Sequence, residues 1–198
     1  LIVLTGDYLN LSSLSDPLAA AGFRRLAMQL HAPHGVYAVR GNVDPWPEEM
    51  ARLVEGTGIT WLEQEKAVVE VRGQRVVLLG VGCSWHEQNV EWLTQTASDV
   101  SRDEFTILLF HSPDLIVEAA QQGVDLYLAG HTHGGQIALP FYGPVITFSR
   151  YGRQYARGEF RVGTTTMYVN RGLGFEGGAA PRARFLARPE ICLLYTSP

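Results

Sequence analysis

The chain has 198 residues, 46 % of them apolar, and a formal net charge of −4. That is enough chain for one domain with its own core, and the composition excludes a disordered or fibrous protein. No apolar run reaches the roughly 20 residues of a membrane helix, and an acidic chain without an aromatic–basic repeat speaks against specific nucleic-acid binding.

The first element, "LIVLT" at residues 1–5, is strand-like from its first residue and ends at Gly6-Asp7. With neither an initiating Met nor a signal peptide, this start reads as a truncated N-terminus, so the lack of targeting signals says nothing about localisation. Asp16 and Pro17 suit the N-cap and first position of a helix over "SDPLAAAGFRRLAMQLHA". "GVYAVRGNVD" is a strand and polar turn. "PWPEEMARLVEG" is a helix with acids in its first turn and glycine after it. "KAVVEVRGQRVVLLGVG" reads as a hairpin turning at residues 72–74. A helix over "WHEQNVEWLTQTA", a buried strand "FTILLFHSP", a helix "PDLIVEAAQQG" and a strand "VDLYLAGHTH" follow. "GEFRVGTTTMYVNRG" reads as a hairpin around Gly163, and "EICLLY" as a last strand. This alternation predicts an α/β protein with mixed sheets covered by helices. Cys83 and Cys192 match no metal or redox spacing and read as buried thiols.

Four apolar strands each end in metal-capable residues: Asp7, Asn42, His111, and His131 with His133 in "GHTHGGQ". Ligands of open α/β sheets sit outside the carboxyl ends of strands. Singly, Asp7, Asn42 and His111 suit turns or ordinary polar contacts. Two histidines two residues apart among glycines suit such contacts poorly. Together they offer imidazole, carboxylate and amide donors, a mixed set for Mn, Fe, Zn or Ni. The glycines around the pair read as making room for a substrate.

"TGDY", "GNVD", "FHSP" and "GHTHGGQ", in this order, resemble the calcineurin-like metallophosphoesterases. "LPFYGPVITFSRYGRQYARGEF" and "NRGLG" are similar to a bacterial branch of membrane-associated or exported phosphoesterases, some of them phosphodiesterases and some hydrolases of UDP-diacylglucosamine. The resemblance implies a layered α/β/β/α sandwich in a single domain over residues 1–198, a metal-dependent phosphoesterase with a phosphorylated small-molecule or lipid-linked substrate, and two divalent ions. Asp7 would bridge the ions. Asn42, His111 and His131 would complete one, and His133 would join Asp7 on the other. Asp7, Asn42 and His131 would carry the catalysis, with a bridging hydroxide attacking phosphorus.

Two departures matter. The family's Asp-x-His on a strand before "GD" is absent, so a first strand and two ligands are expected upstream, together with any membrane-associating segment. As it stands the chain should hold one ion well and a second poorly. The family's "GNH" reads "GNV", with Val43 where a histidine aids the transition state or leaving group. His34 and His86 are the loop-placed alternatives, each better read as an ordinary polar residue. These departures keep open a catalytically weak scaffold or binding module on the same fold, and a single-zinc hydrolase. The end "YTSP" does not fit the pattern.

Residues 150–188 hold eight arginines against Glu159 and Glu176, a net +6 that leaves −10 for the rest. Much of this reads as a solvated face. Arg150, Arg153 and Arg182 are the candidates for binding a substrate anion, because the guanidinium fork suits phosphate oxygens.

Overall fold

The computed structural model describes residues 1–176 and 181–195; residues 196–198 of the "YTSP" end lie outside them. Its first sheet is parallel throughout, in the order β1 (Ile2–Leu4), β2 (Val36–Ala38), β3 (Ile59–Trp61). The second has six strands in the order β10 (Gly158–Val162), β11 (Thr165–Val169), β7 (Leu126–Ala129), β6 (Phe105–Phe110), β5 (Gln74–Val81), β4 (Glu65–Val71). Its four central strands are parallel, and the antiparallel strands β10 and β4 close its two edges. A two-stranded ribbon, β8 (Ala138–Leu139) and β9 (Gly143–Pro144), stands apart.

Two apolar cores define the layers. Val3 and Tyr37 of the first sheet, with Val39 and Leu62 just past the ends of β2 and β3, meet Val69, Leu78, Ile107 and Leu109 of the second. The other face of the six-stranded sheet buries Leu79, Leu108, Tyr127 and Met167 beneath α3 (His86–Ser98) and α4 (Ile116–Gln121), which contribute Leu93, Ile116 and Ala119. The alternation of side chains along a strand assigns odd and even residues of β5 and β6 to opposite cores. Helices α1 (Pro17–Ala27) and α2 (Pro47–Val54) belong to the first sheet's side. Arg24 of α1 donates to the carbonyls of Arg52, Leu53 and Glu55, capping the C-terminal end of α2. The layered α/β/β/α expectation therefore holds.

Asp16 caps α1 by accepting the Leu18 N–H at 2.9 Å, with Pro17 in the first position. The β4–β5 hairpin turns on two residues, Arg72 and Gly73, both left-handed, so Gln74 is already paired with Val71.

Three local features differ from the expected pattern. The short strand β3 and the ribbon β8–β9 were not anticipated. "EICLLY" is not a strand: residues 190–195 have no ladder partner among the described residues, and Ile191, Leu193 and Tyr195 are exposed. Apolar character alone does not make a strand; an open edge must be there to receive it. Both cysteines are free and only partly buried.

Candidate metal centre

The tips of β1, β2, β6 and β7 converge. Ligand atoms of Asp7, His111 and His131 all lie within 4.8 Å of one another. His111 is 2 % exposed at the end of β6. Its Nδ1 lies 2.6 Å from the Thr5 carbonyl, which can only accept, so Nδ1 carries the proton. Nε2 then points at Asp7 Oδ2, 2.9 Å away, in a contact not aligned as a hydrogen bond, and this buried nitrogen has no other partner. A backbone carbonyl that fixes one ring nitrogen and frees the other is the usual support of a metal-ligating histidine.

The loop after β7 supplies the pair. His131 packs edge-on against His111 with ring centroids 5.0 Å apart. Its Nε2 lies 3.3 Å from the Phe148 carbonyl, and as donor there it leaves Nδ1 free. The buried Nδ1 of His133 has no hydrogen-bond partner among the described residues. Thr132 between them is buried, and its hydroxyl donates to the Ala156 carbonyl at 2.6 Å, pinning the loop.

Asp7, His131 and His133 all have left-handed backbones, at φ 59°, 68° and 51°. For residues other than glycine such conformations cost of order 1–3 kcal/mol each and persist only where surrounding structure enforces them. Asp44 does so on one side: its carboxylate accepts the backbone N–H groups of Asp7 (2.7 Å), Tyr8 (2.7 Å) and Gly41 (2.8 Å). Arg184 does so on the other, donating to the carbonyls of His133 (3.2 Å) and Arg171 (2.7 Å). Sequence reading missed both. Asp44 is indistinguishable from a turn former, and Arg184 is one arginine among eight. The glycines of "GHTHGGQ" serve packing more than open space. A Cβ on Gly134 would lie 2.9 Å from Arg171 Cγ, and one on Gly135 2.7 Å from Pro144 Cα.

The electrostatics favour the ligating form at Asp7, His131 and His133. Burial, the largest influence, raises the Asp7 carboxyl, but His111, the Val43 N–H and His131 together outweigh it and hold it below the usual carboxylate range. Burial lowers both His131 and His133, helped by His111 in the first case and Arg184 in the second, so both favour the neutral, ligating form. For His111 burial acts downward, yet Asp7 pulls it above the usual histidine value. Unpartnered buried nitrogens facing a carboxylate are what a cation would satisfy, so the residues fit one.

Asn42 is exposed at the tip of β2 and lines a cavity of about 180 Å³ with His111, His131, Cys83, Ser84 and His86. A larger but shallower hollow near Gln88 and Trp92 shares only Ser84 with this cavity. The Ser112 hydroxyl, also on the cavity wall, is buried without a partner. Val43 sits 9 % exposed, and its N–H donates to Asp7 Oδ1 at 3.1 Å. His86 is on the cavity wall, in contact with Arg150 and 3.5 Å from Glu118. The arginine candidates separate. Arg150 is beside that wall, Arg153 lies over the Tyr142 ring at 4.1 Å, and Arg182 reaches the Ser12 hydroxyl at 3.0 Å.

Residues 1–135 match the calcineurin-like phosphoesterase family. The chain is 51 % identical over 96 residues to the uncharacterized metallophosphoesterase YkuE of Bacillus subtilis, covering 48 % of this chain and 32 % of that one. It is 31 % identical over 208 residues to the phosphodiesterase YaeI of Escherichia coli, covering 98 % and 69 %. It is 39 % identical over 95 residues to the UDP-2,3-diacylglucosamine pyrophosphatase LpxG of Chlamydia trachomatis, covering 44 % and 28 %.

Proposed function

This chain belongs to the calcineurin-like metallophosphoesterases, hydrolases of phosphoester bonds, and from that premise we propose a phosphodiester or phosphomonoester hydrolase with a two-ion site centred on Asp7. Asp7 would be shared, Asn42, His111 and His131 would hold one ion, and His133 the other. Divalent ions in such a pair neutralise phosphoryl oxygens and make a water nucleophilic at neutral pH. The chain's own groups do the rest. Thr5 fixes the His111 tautomer, and Asp44 and Arg184 hold the ligand backbones. Asn42 and the adjoining cavity would take the part of the substrate next to phosphorus, and Arg150 beside the cavity wall would meet a second anionic group. A lipid-linked or small phosphorylated substrate belongs to the same proposal and is supported by the names of YaeI and LpxG; a bacterial location, exported or at a membrane, is proposed with it on the resemblance of the sequence motifs alone.

The observation that carries this reading is the buried, unpartnered Nε2 of His111 facing Asp7 beside His131. Metal content and turnover of bis-nitrophenyl phosphate test it, in the parent and in His131→Ala and His133→Ala. The expected result is nearer one tight ion than two per chain, turnover that requires metal, and loss of both in His131→Ala. Near-parental turnover in either variant at saturating metal would refute the assignment. Val43 favours a second reading, a binding module that takes up metal and phosphoester without turning it over.

A further inference from the structure

The ribbon beside the metal centre presents apolar side chains to solvent. Leu139, Phe141, Tyr142, Val145, Ile146 and Phe148 are all exposed within ten residues, Phe141 completely so. Apolar residues scattered singly over a surface need no explanation, but a contiguous group does. Two of these exposed aromatics stand on left-handed backbones, Phe141 at φ 61° and Phe148 at φ 54°, conformations rarely adopted by bulky residues. The mount is firm. Pro144 of β9 packs against Gly135 of the ligand loop, and the Phe148 carbonyl meets His131 Nε2. The apolar tip therefore has a fixed place beside the mouth of the site.

The charge around it has one sign. Residues 126–158 contain Arg150, Arg153 and Arg157 and no acidic residue. Among the described residues Arg150 shares Glu118 with His86, whereas neither Arg153 nor Arg157 is in an ion pair. Arg153 lies over the Tyr142 ring and donates to the Tyr142 carbonyl at 2.9 Å, which holds a cation at the base of the aromatic tip. Protruding aromatics backed by unpaired arginines match the boundary of an anionic bilayer, where rings enter the acyl region and guanidinium groups stay at phosphate level. A flat protein partner would leave so prominent a tip poorly packed.

We propose that the segment from Leu139 to Arg157 docks on an anionic lipid surface, with Phe141 and Ile146 inserted and Arg153 and Arg157 at the headgroup phosphates. The docked face would bring the mouth of the metal centre against the membrane, so that a phosphoester carried by a lipid could reach Asp7 without leaving the bilayer. Docking is read without metal or turnover, so it and the proposed hydrolysis can fail separately.

The test is co-sedimentation of the full 198-residue chain with vesicles of phosphatidylcholine, alone or mixed with phosphatidylglycerol. The expected result is binding to the mixed vesicles that weakens with salt and falls about tenfold or more in Phe141→Ser/Ile146→Ser, since two large apolar side chains lose their insertion. Unchanged circular dichroism would show that this variant folds. Independently, Phe141→Trp should gain an emission component quenched by brominated lipid. Three results would overturn the proposal: no binding to mixed vesicles, equal binding by the serine variant, or a dimer of the parent that the serine variant breaks, which would make the tip a seam between copies.

Discussion

Gly6 and Gly41 face each other across the tips of β1 and β2 so closely that a Cβ on Gly6 would lie 2.5 Å from the Gly41 nitrogen, and one on Gly41 would collide with the Asp7 carboxylate. Neither position has room for a methyl group, and Gly6 also has φ 95°. Gly41→Ala should therefore displace Asp7, at an overpacking cost of about 1–3 kcal/mol. Calorimetric titration with Mn or Zn should show the tight site lost. Gly22→Ala is the control: nothing lies within 4 Å of that helical position, so stability should rise by about 0.5–1 kcal/mol with metal binding unchanged. Parental metal affinity in Gly41→Ala would contradict the shared role of Asp7.

Asp44 tests the frame rather than the ligands. Asp44→Ala leaves three N–H groups without their acceptor, each costing about 1–3 kcal/mol, offset in part by removal of a buried carboxylate. A net loss of about 2–4 kcal/mol is expected from urea unfolding. Asp44→Asn keeps one oxygen but turns an NH2 toward at least one N–H donor, so it should fall between parent and alanine. Equal stability in all three would mean that the clamp carries no load.

The candidate ligands were legible in the sequence, whereas the order of the strands that carry them was not. Asp7, His111 and His131 each follow an apolar run, so the sequence places them at strand ends, and the parallel order then gathers those ends. Asp44 was not legible, because three N–H groups from two segments meet it only after β1 and β2 pair. Arg184 was hidden for a similar reason: its partners, the His133 and Arg171 carbonyls, lie 51 and 13 residues away. The strand β3 is three residues long, too short for alternation to rise above its surroundings. The "EICLLY" segment has strand composition but no ladder partner among the described residues. Pairing depends on neighbours, which local composition does not encode.

Val43 stands where the resemblance to the family leads one to expect a histidine, and its backbone is held to Asp7. Val43→His should raise turnover of alkyl phosphodiesters more than that of nitrophenyl esters. A nitrophenolate leaves unaided, whereas an alkoxide needs a proton or a nearby positive charge, and such help is typically worth about 10²–10⁴-fold. The ratio of the two rates should therefore shift by about tenfold or more toward the alkyl substrate. A histidine placed where a 9 % exposed valine packed will also lower stability somewhat, which affects both rates alike and cancels in the ratio. An unchanged ratio would refute the leaving-group role of this position.

Glu190 links acid stability to the His133 loop. Its carboxylate accepts from the Arg171 backbone N–H at 3.0 Å and from Arg171 Nε at 2.7 Å. Arg171 in turn packs over Gly134, and its carbonyl accepts from Arg184, which also holds the His133 carbonyl. Burial, the largest influence, raises the Glu190 carboxyl, but the hydrogen bonds and charge of Arg171 together with the Tyr168 hydroxyl outweigh it, so the group titrates below the ordinary glutamate range. A carboxylate depressed on folding contributes stability that is fully present above its unfolded pKa and is lost as pH falls through its folded pKa. Glu190→Gln should therefore lower the melting temperature at pH 7 and narrow the difference from the parent as pH drops through and below the glutamate range. Metal titrations at pH 7 should show weaker binding in the same variant, because the backbone of His133 loses part of its support. A melting-temperature gap that stays constant from pH 7 down to pH 3 would show that the Arg171–Glu190 pair does not contribute through its charge.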